Sequence, residues 1–350
     1  MSNTFKASFG RPFFYSSTMS KVRVGINGFG RIGRVLARAL AEDERIDLVA
    51  INDIYESDVL THLFKYDSVH GRLGMPAHTE GGRLIFGRQK ATWFKEKNAE
   101  QIPWGAHKVD IVIDCTGINK TIESASVHLK SGAGKVIVSA PPDDDRIKAV
   151  VIGINDSIIN AEDLVISNAS CTTNCAAPMI KVLDDLCGLE ACYITTVHSY
   201  TGDQRLHDSP HKDWRRARAA AESIVPTSTG AAKAIYKIFP HLKGELGGCG
   251  MRVPVPDGSL TDITCIVNAM KTTEEINSAF RSAASGYLRG VLEYTEDPIV
   301  SRDVIGNPAS CLFDAQLTSV VGRMVKVVGW YDNEVGYSNR LVDLALKIGS

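Results

Sequence analysis

The chain has 350 residues, of which 44% are hydrophobic and 23% are charged. This composition is typical of a globular protein with about two domains. Its 39 basic and 40 acidic residues give a net charge of −1, so nucleic acid is not expected as a main partner. No apolar stretch approaches the roughly 18–20 residues that span a bilayer, so we expect no membrane partner.

Residues 1–20 differ in composition from the rest of the chain. They contain five serines, no acidic residue, and two basic residues, Lys6 and Arg11. Transit peptides are similarly poor in acids and rich in serine and arginine, but Pro12 would interrupt a helix there, and Met19 could equally be the true start. We therefore keep three interpretations of this extension: a disordered tail, an organelle-targeting signal, or an artefact of the start site.

The segment that follows has the pattern of a dinucleotide site. Val22–Asn27 predicts a strand, and Gly28-x-Gly30-x-x-Gly33 follows it directly. A helical pattern covers Arg34–Ala41, and the next predicted strand, Asp47–Asn52, is followed by Asp53. This order is the context that the glycine fingerprint requires, with the pyrophosphate at the helix N-terminus. An acid at position 53 would bind the adenosine ribose and repel a 2′-phosphate, which favours NAD over NADP.

Further strands predict the two sheets of an α/β protein. Asp110–Asp114 and Lys135–Val138 extend the first, parallel sheet, and Thr116 follows the former at the edge where ligands bind. Asp257–Met270 and Met324–Trp330 predict a second, mostly antiparallel sheet. The predicted fold class is therefore a Rossmann-type doubly wound NAD-binding domain plus an α+β catalytic domain.

Cys171 occupies a strand-to-helix turn. Leu164–Ile166 predicts a buried strand, Ser170 is a natural N-cap, and Ala176–Leu186 predicts a helix that Pro178 should distort near its start. A free cysteine is usually structural. Here the positive end of a helix is expected to lower the thiol pKa and to make a thiolate available near pH 7.

His198 follows the predicted strand Ala191–Val197. A histidine in such a position is usually structural, but a candidate nucleophile lies a short distance upstream. Imidazole suits proton transfer near neutral pH, so we expect a thiolate–imidazolium couple with Cys171. Cys171 and Cys175 lack a second Cys/His pair at ligand spacing, so no metal site is predicted. A reactive thiol needs a reducing compartment, so we expect a cytoplasmic location.

Five motifs occur in the order found in one enzyme family. They are Gly25–Gly33, Ser170–Cys175, His198–Gln204, Pro226–Lys233 and Trp330–Glu334. From about Lys21 to Ser350 the chain resembles the phosphorylating glyceraldehyde-3-phosphate dehydrogenases. The resemblance implies an NAD-binding domain over 21–169 that the C-terminal helix 334–350 completes. It implies a catalytic domain over 170–333, preceded by the extension 1–20.

The resemblance also implies a set of site residues, with Cys171 and His198 as the catalytic pair. The implied cofactor-binding residues are Gly28, Gly30, Arg31, Ile32, Gly33, Asp53, Thr116 and Asn333. Thr201, Asp203 and Arg252 are implied to face the substrate's phosphate and hydroxyl groups. Ser170, Thr172, Arg216, Thr229 and Gly230 are implied to face inorganic phosphate. Whether Arg215 or Arg216 points inward stays open.

The implied reaction uses NAD, glyceraldehyde 3-phosphate and inorganic phosphate. In this hypothesis Cys171 attacks the aldehyde, His198 takes the hydroxyl proton as hydride leaves, and phosphate releases the thioester as an acyl phosphate. Tyr200–Ile224 is polar and irregular before helix-forming Ala219–Glu222. The resemblance further implies a homotetramer, in which this segment lies at a subunit interface.

Some positions depart from the family pattern, and some alternatives stay open. Ile118 and Asn119 replace a bulkier pair, the basic residue on the adenine side is Lys97, Ser209 replaces a bulkier residue, and Val255–Ser259 differs modestly. Erythrose-4-phosphate dehydrogenase shares the scaffold, and aspartate-semialdehyde-type reductases share the Cys/His chemistry. A non-catalytic binding protein is the alternative from another class.

Overall fold

The computed structural model describes residues 21–41, 43–228 and 230–349. The predictions for the extension 1–20 and for Thr229 therefore lie outside the described residues. No helix within the described part of the chain is long and apolar enough to cross a membrane.

The first half of the chain forms a nine-stranded sheet with helices. In chain order its elements are β1 (Val22–Asn27), α1 (Arg31–Ala41), β2 (Ile46–Asn52), α2 (Ser57–Lys65), β3 (Tyr66–Asp67), β4 (Gly71–Arg72), β5 (Ala77–Glu80), β6 (Arg83–Phe86), β7 (Gln89–Phe94), β8 (Ile111–Asp114), α3 (Ile122–Ala125), α4 (Val127–Lys130), β9 (Lys135–Val138), β10 (Lys148–Ala149) and β11 (Val165–Ser167). The strand order is β10-β11-β9-β8-β1-β2-β7-β6-β5, and β3 pairs with β4 separately. Strands β10 to β7 along this order are parallel, whereas β5 and β6 form an antiparallel edge.

The second half builds an eight-stranded sheet. Its elements are α5 (Cys171–Cys187), β12 (Leu189–Ser199), β13 (Val225–Thr227), α6 (Ala231–Ile238), β14 (Leu246–Val253), β15 (Ser259–Val267), α7 (Thr273–Ser285), β16 (Leu292–Thr295), β17 (Cys311–Asp314), β18 (Ser319–Val321), β19 (Met324–Tyr331) and α8 (Val335–Gly349). The order is β13-β14-β12-β15-β19-β17-β16, with β18 beside β19. Only the pairs β12–β14 and β16–β17 are parallel among these described strands. The predicted fold class is therefore confirmed.

Each sheet has its own hydrophobic core. Val24 and Ile26 of β1 pack with Leu36 of α1, and Leu341 and Leu344 of α8 belong to the same cluster. The C-terminal helix thus packs on the first sheet, although the chain reaches it only after finishing the second sheet. Because these side chains are apolar and almost fully buried, their burial stabilises the packing of α8 on the first sheet by roughly 1.5–3 kcal/mol per side chain.

Helix α5 forms the centre of the second core. Its Met179, Ile180 and Leu183 pack against residues of β12, β15 and β19. The half-buried Cys171, at its first position, contacts both the first and the second core. The turn before α5 therefore lies at the boundary between the two cores, and it places Cys171 there.

Two local predictions need correction. Helix α5 begins at Cys171 rather than Ala176, and it continues through Pro178. A proline inside a helix costs about 3 kcal/mol, but the buried neighbours Met179 and Ile180 each contribute roughly 1.5–3 kcal/mol. Residues 219–222 form a bridge residue and turns rather than a helix, because Ala219 and Ala220 bond back to Asp208 and Arg205.

Candidate active site

The turn before α5 holds its shape through side-chain hydrogen bonds. Ala169 has a φ of 53°, and a non-glycine residue in this region costs about 1–3 kcal/mol. Asn174 Nδ2 donates to the carbonyl oxygens of Asn168 and Ser170 at 2.9 and 3.0 Å. Ser170 Oγ caps the helix by accepting from the backbone N–H of Thr173 at 3.0 Å. These bonds fix the orientation of Cys171 at the start of α5.

The structure brings Cys171 and His198 together. Cys171 Sγ lies 3.4 Å from His198 Nε2. His198 is the penultimate residue of β12, where it pairs with Arg252 of the neighbouring strand β14. Its side chain is buried, so the imidazole nitrogen that faces the sulfur is shielded from bulk water.

Burial controls the charge states of this pair. It raises the pKa of the Cys171 thiol to about 11, against the opposing charge of Arg252. Burial, followed by the charge of Arg252, lowers the pKa of His198 to about 3. The prediction that the turn lowers the thiol pKa is therefore wrong: loss of hydration outweighs the helix end. Because burial disfavours the charged form of each group, it favours a neutral thiol and a neutral imidazole in the resting pair.

Arg252 and Ser199 surround the other imidazole nitrogen. Arg252 Nη1 lies 2.7 Å from His198 Nδ1 and donates to the Ser199 carbonyl oxygen at 2.9 Å. The same carbonyl oxygen lies 2.8 Å from His198 Nδ1. Burial lowers the pKa of Arg252, so an anion beside this guanidinium would be strongly stabilising. The predicted contact between Arg252 and a phosphate fits this environment.

Arg216, rather than Arg215, points into the structure. Its Nη1 donates to Asp203 Oδ2 at 2.6 Å and its Nε donates to Thr227 Oγ1 at 3.0 Å, whereas Arg215 is exposed. Thr201 lies in the same loop, where its N–H donates to Gln204 Oε1 at 3.3 Å. The structure thus pairs the predicted phosphate ligand Arg216 with the predicted substrate ligand Asp203. Gly230 is exposed and precedes α6.

Thr172 has a different environment from the one predicted. Its hydroxyl is buried and lies 3.0 Å from the hydroxyl of Tyr331, which lies 2.9 Å from Thr196 Oγ1. The Tyr331 ring also meets the His198 ring edge-on, with centroids 6.0 Å apart. The Thr172 side chain therefore pairs with Tyr331 instead of facing an open phosphate site. The sequence motif that begins at Trp330 includes Tyr331, but nothing local in the sequence indicates this contact.

The glycine turn fits a dinucleotide. A Cβ on Gly33 would lie 2.2 Å from the carbonyl oxygen of Gly28, and one on Gly28 would lie 3.0 Å from the backbone of Thr116. Gly28 also has a φ of 91°. Glycine at these positions lets α1 begin close to the ends of β1 and β8, where the strand order reverses and ligands bind in such sheets.

Asp53 lies beside this turn, at the end of β2. Its Oδ2 accepts from the backbone N–H of Phe29 at 2.6 Å and its Oδ1 accepts from Tyr55 N–H at 3.1 Å. Thr116 is exposed at the end of β8 and donates to Asp114 Oδ1 at 2.6 Å. Gly30 has open space around it. The predicted cofactor residues of the first domain therefore share one edge of the sheet.

Comparisons with known proteins give the family. The family model described as "Glyceraldehyde 3-phosphate dehydrogenase, NAD binding domain" matches residues 22–122, and the one described as "Glyceraldehyde 3-phosphate dehydrogenase, C-terminal domain" matches residues 170–333. The chain belongs to the glyceraldehyde-3-phosphate dehydrogenase family. Similar curated proteins include "Glyceraldehyde-3-phosphate dehydrogenase 2" of Streptomyces avermitilis, 52% identical over 332 residues, which are 94% of this chain and 99% of that protein.

Two further relatives agree with this assignment. "Glyceraldehyde-3-phosphate dehydrogenase" of Streptomyces coelicolor is 53% identical over 334 residues, covering 94% of this chain and 99% of that protein. The protein of the same name from Mycobacterium avium is 52% identical over 336 residues, covering 94% and 98%. The predictions of the family, of an NAD-binding domain and of a glycolytic oxidoreductase are confirmed.

In this member of the glyceraldehyde-3-phosphate dehydrogenase family, Arg31 connects the two halves of the chain. Its Nε donates to Glu334 Oε1 at 2.7 Å, its Nη2 also pairs with Glu334, and its Nη1 bonds to Asp67 Oδ2 at 2.5 Å. His70 Nε2 lies 2.8 Å from Glu334 Oε2. The Arg31 side chain therefore holds Glu334, next to Asn333, whereas the first-turn N–H groups of Arg31 and Ile32 are suited to an anionic ligand.

An unpredicted acid, Asp257, completes this region of the dehydrogenase. It is 1% exposed, and its Oδ2 has no hydrogen-bond partner among the described residues. That oxygen lies 3.6 Å from His70 Nε2. Burial, together with the charges of Asp332 and Glu334, raises the pKa of Asp257 to about 9. The only sequence signal was the departure of Val255–Ser259 from the common family pattern.

Proposed function

We propose that this chain catalyses the oxidative phosphorylation of D-glyceraldehyde 3-phosphate, with NAD and inorganic phosphate, to 1,3-bisphosphoglycerate. One observation carries the proposal: Cys171 Sγ lies 3.4 Å from His198 Nε2 where the two cores meet. A thiol suits both halves of this reaction, because it is a strong nucleophile and then a good leaving group. The names of the curated relatives supply the substrate.

The pair carries out the covalent steps. The sulfur of Cys171 bonds to the aldehyde carbon while His198 Nε2 transfers the thiol proton to the aldehyde oxygen, which gives a thiohemiacetal. His198 then removes the hydroxyl proton as the thioester forms. NAD, when bound, supplies the acceptor for the hydride. Phosphate oxygen then attacks the thioester carbon, and the departing sulfur regains its proton from His198.

Charged and polar groups around the pair bind the two anions in this proposal. Arg252, Thr201 and Asp203 hold the substrate's phosphate and hydroxyl groups. Ser170, Arg216, Thr229 and Gly230 serve inorganic phosphate, whereas the Thr172 hydroxyl, which pairs with Tyr331, does not. The backbone N–H of Cys171, in the first turn of α5, and His198 stabilise the developing oxyanion. Partly buried Arg252, beside His198 Nδ1, supports this assignment most directly.

We also propose NAD rather than NADP as the cofactor, a homotetramer, and a cytoplasmic location. The Asp53 carboxylate beside the glycine turn would repel a 2′-phosphate. Leu206, Trp214 and Ile224 are 73%, 88% and 68% exposed on the loop predicted to reach a neighbouring subunit, and such apolar exposure is typical of interfaces. The eight cysteines are free thiols, as reducing compartments favour.

The test is the formation of NADH from glyceraldehyde 3-phosphate with and without inorganic phosphate. We expect sustained turnover only with phosphate, and Cys171→Ser should lose several orders of magnitude in rate while still binding NAD, because serine is far less ionised than cysteine. Faster, phosphate-independent turnover of erythrose 4-phosphate would contradict the proposal. Near-normal activity of Cys171→Ser would exclude the covalent mechanism.

A further inference from the structure

The Asn333 side chain is held by two serine hydroxyls. Ser199 Oγ lies 2.9 Å and Ser259 Oγ lies 2.7 Å from Asn333 Oδ1. Both serines are fully buried, and Asn333 is 6% exposed. Ser199 is the last residue of β12, Ser259 is the first of neighbouring β15, and Asn333 follows β19. Three adjacent strands thus bring these side chains together.

The hydrogen-bond arrangement fixes which end of the amide faces the serines. Ser259 Oγ already accepts from the backbone N–H of Ser199 at 3.1 Å, so its hydroxyl hydrogen remains to be donated. If the Asn333 NH2 group faced the serines, both hydroxyl hydrogens would lack an acceptor among the described residues, which is costly in a buried site. With Oδ1 facing them, its two lone pairs accept both hydroxyls. The NH2 end of Asn333 is therefore the end directed away from the serines.

Ser199 also connects Asn333 to the catalytic pair. Its hydroxyl contacts Asn333, whereas its carbonyl oxygen accepts from Arg252 Nη1 at 2.9 Å and lies 2.8 Å from His198 Nδ1. One residue thus contacts both the imidazole of the proposed base and the amide proposed to bind the cofactor. The positions of these two groups are coupled through Ser199.

We propose that Ser199 and Ser259 are positioning residues that present the NH2 group of Asn333 to the carbonyl oxygen of the nicotinamide carboxamide. This inference rests on the proposed function, in which Asn333 contacts the nicotinamide. The serines themselves need not touch the cofactor. By fixing the amide they restrict the carboxamide to one orientation, and so restrict which way the ring is held beside Cys171.

A double-mutant cycle on NAD binding tests the proposal. The dissociation constant for NAD is measured by titration calorimetry for the wild type, Ser259→Ala, Asn333→Ala and the double variant. We expect Ser259→Ala to weaken NAD binding about tenfold, as expected for the loss of one positioned hydrogen bond, but to have no further effect when Asn333 is already alanine. Equal losses in both backgrounds, or no loss in Ser259→Ala, would overturn the proposal.

A matched control separates positioning from general packing. Ser310 is 3% exposed, lies in the same half of the chain, and its Oγ has no hydrogen-bond partner among the described residues. Ser310→Ala should bind NAD like the wild type. If Ser259→Ala fails to fold, Ser259→Thr and Ser259→Val provide a second comparison. Ser259→Thr retains the hydroxyl and should bind NAD within about threefold of the wild type. Ser259→Val has the shape of the threonine variant but lacks the hydroxyl, so it should bind NAD more weakly than that.

A cofactor analogue tests the direction of the amide in the unmodified protein. The 3-acetylpyridine analogue of NAD retains the carbonyl oxygen but lacks the carboxamide NH2. It should bind the wild type within about threefold of NAD, because the proposed contact uses only that oxygen. A loss of about tenfold or more would mean that Asn333 presents Oδ1, which would overturn the proposal. A wild type that binds NAD without phosphate-dependent turnover would contradict the proposed function instead.

Discussion

At the scale of single residues, the proposed function makes His198 the proton acceptor for an otherwise neutral thiol. Burial raises the pKa of Cys171 to about 11, so the sulfur depends on the imidazole nitrogen 3.4 Å away rather than on the helix end. We expect His198→Asn to slow alkylation of Cys171 by iodoacetamide at pH 7 by at least about tenfold, and to move its pH midpoint upward.

Because the pKa of the Cys171 thiol is raised to about 11, little free thiolate forms at neutral pH. The wild type can pass the thiol proton to His198 there, whereas the variant cannot, so the variant should react mainly at alkaline pH. The measurement is the rate of modification of the Cys171 peptide by mass spectrometry at several pH values, with half-buried Cys249 as an internal standard. If the alkylation rate of Cys171 depended on pH in the same way in the variant and in the wild type, His198 would not be the group that accepts the thiol proton.

Asp53 combines two roles that one substitution can separate. Its carboxylate accepts the Phe29 N–H at 2.6 Å and carries the charge proposed to repel NADP. Asp53→Asn retains an acceptor oxygen but removes the charge, whereas Asp53→Ala removes both. A like-charge contact in a partly desolvated site is worth on the order of 1 kcal/mol or more, so Asp53→Asn should improve kcat/KM for NADP by roughly tenfold. Equal wild-type efficiency with NAD and NADP would show that Asp53 does not select the cofactor.

The residues that the sequence predicted are those whose chemistry has a local signature. The spacing of Gly28 and Gly33, and the cap beside Cys171, are visible within a few neighbouring positions. By contrast, Tyr331, Asp257 and Ser259 acquire their roles through partners that are distant in the chain. Their contacts depend on how β12, β15 and β19 pair, and no local pattern encodes that pairing. The raised pKa of Cys171 was missed for the same reason, since burial arises from both cores.

At the scale of elements, the start of α1 depends on a close approach between backbone segments. A Cβ on Gly33 would lie 2.2 Å from Gly28 O, whereas one on Gly30 would meet nothing within 4 Å. Gly33→Ala should therefore displace α1 from the end of β1, destabilise the protein by about 1–3 kcal/mol, and weaken NAD binding more than tenfold, because the helix N-terminus would move.

Gly30→Ala is the matched control for this prediction. It lies in the same turn with open space around it, so its thermal stability should stay close to that of the wild type. Thermal unfolding and NAD titration of the two variants give the comparison. If Gly33→Ala were as stable as Gly30→Ala and bound NAD as tightly as the wild type, the close packing of α1 on β1 would not be required for the dinucleotide site.

At the scale of the whole molecule, the contact between the two halves includes a buried acid. Asp257, which precedes β15, faces Asp332, Glu334 and His70, and Arg31 of α1 neutralises Glu334. The strands of the second sheet and the helix of the first domain therefore meet at a cluster rich in carboxyl groups. Because burial and the neighbouring charges raise the pKa of Asp257 to about 9, this acid is protonated in the native protein at neutral pH.

Protonation of Asp257 makes the stability of the folded protein dependent on pH. The unfolded chain has the ordinary pKa of 3.8, so the folded state holds one more proton between that pH and about 9. The stability contributed by the neutral acid is fully present below the unfolded pKa and is lost progressively as the pH rises through the folded pKa. We expect Asp257→Asn, which stays neutral at every pH, to remove this dependence. The measurement is the thermal unfolding midpoint at fixed protein concentration from pH 6 to about pH 9.5, which should fall more steeply with pH in the wild type than in the variant. Asp297 is an exposed acid, so the control variant Asp297→Asn should behave like the wild type. Parallel curves for Asp257→Asn and the wild type would mean that Asp257 is ionised in the folded protein.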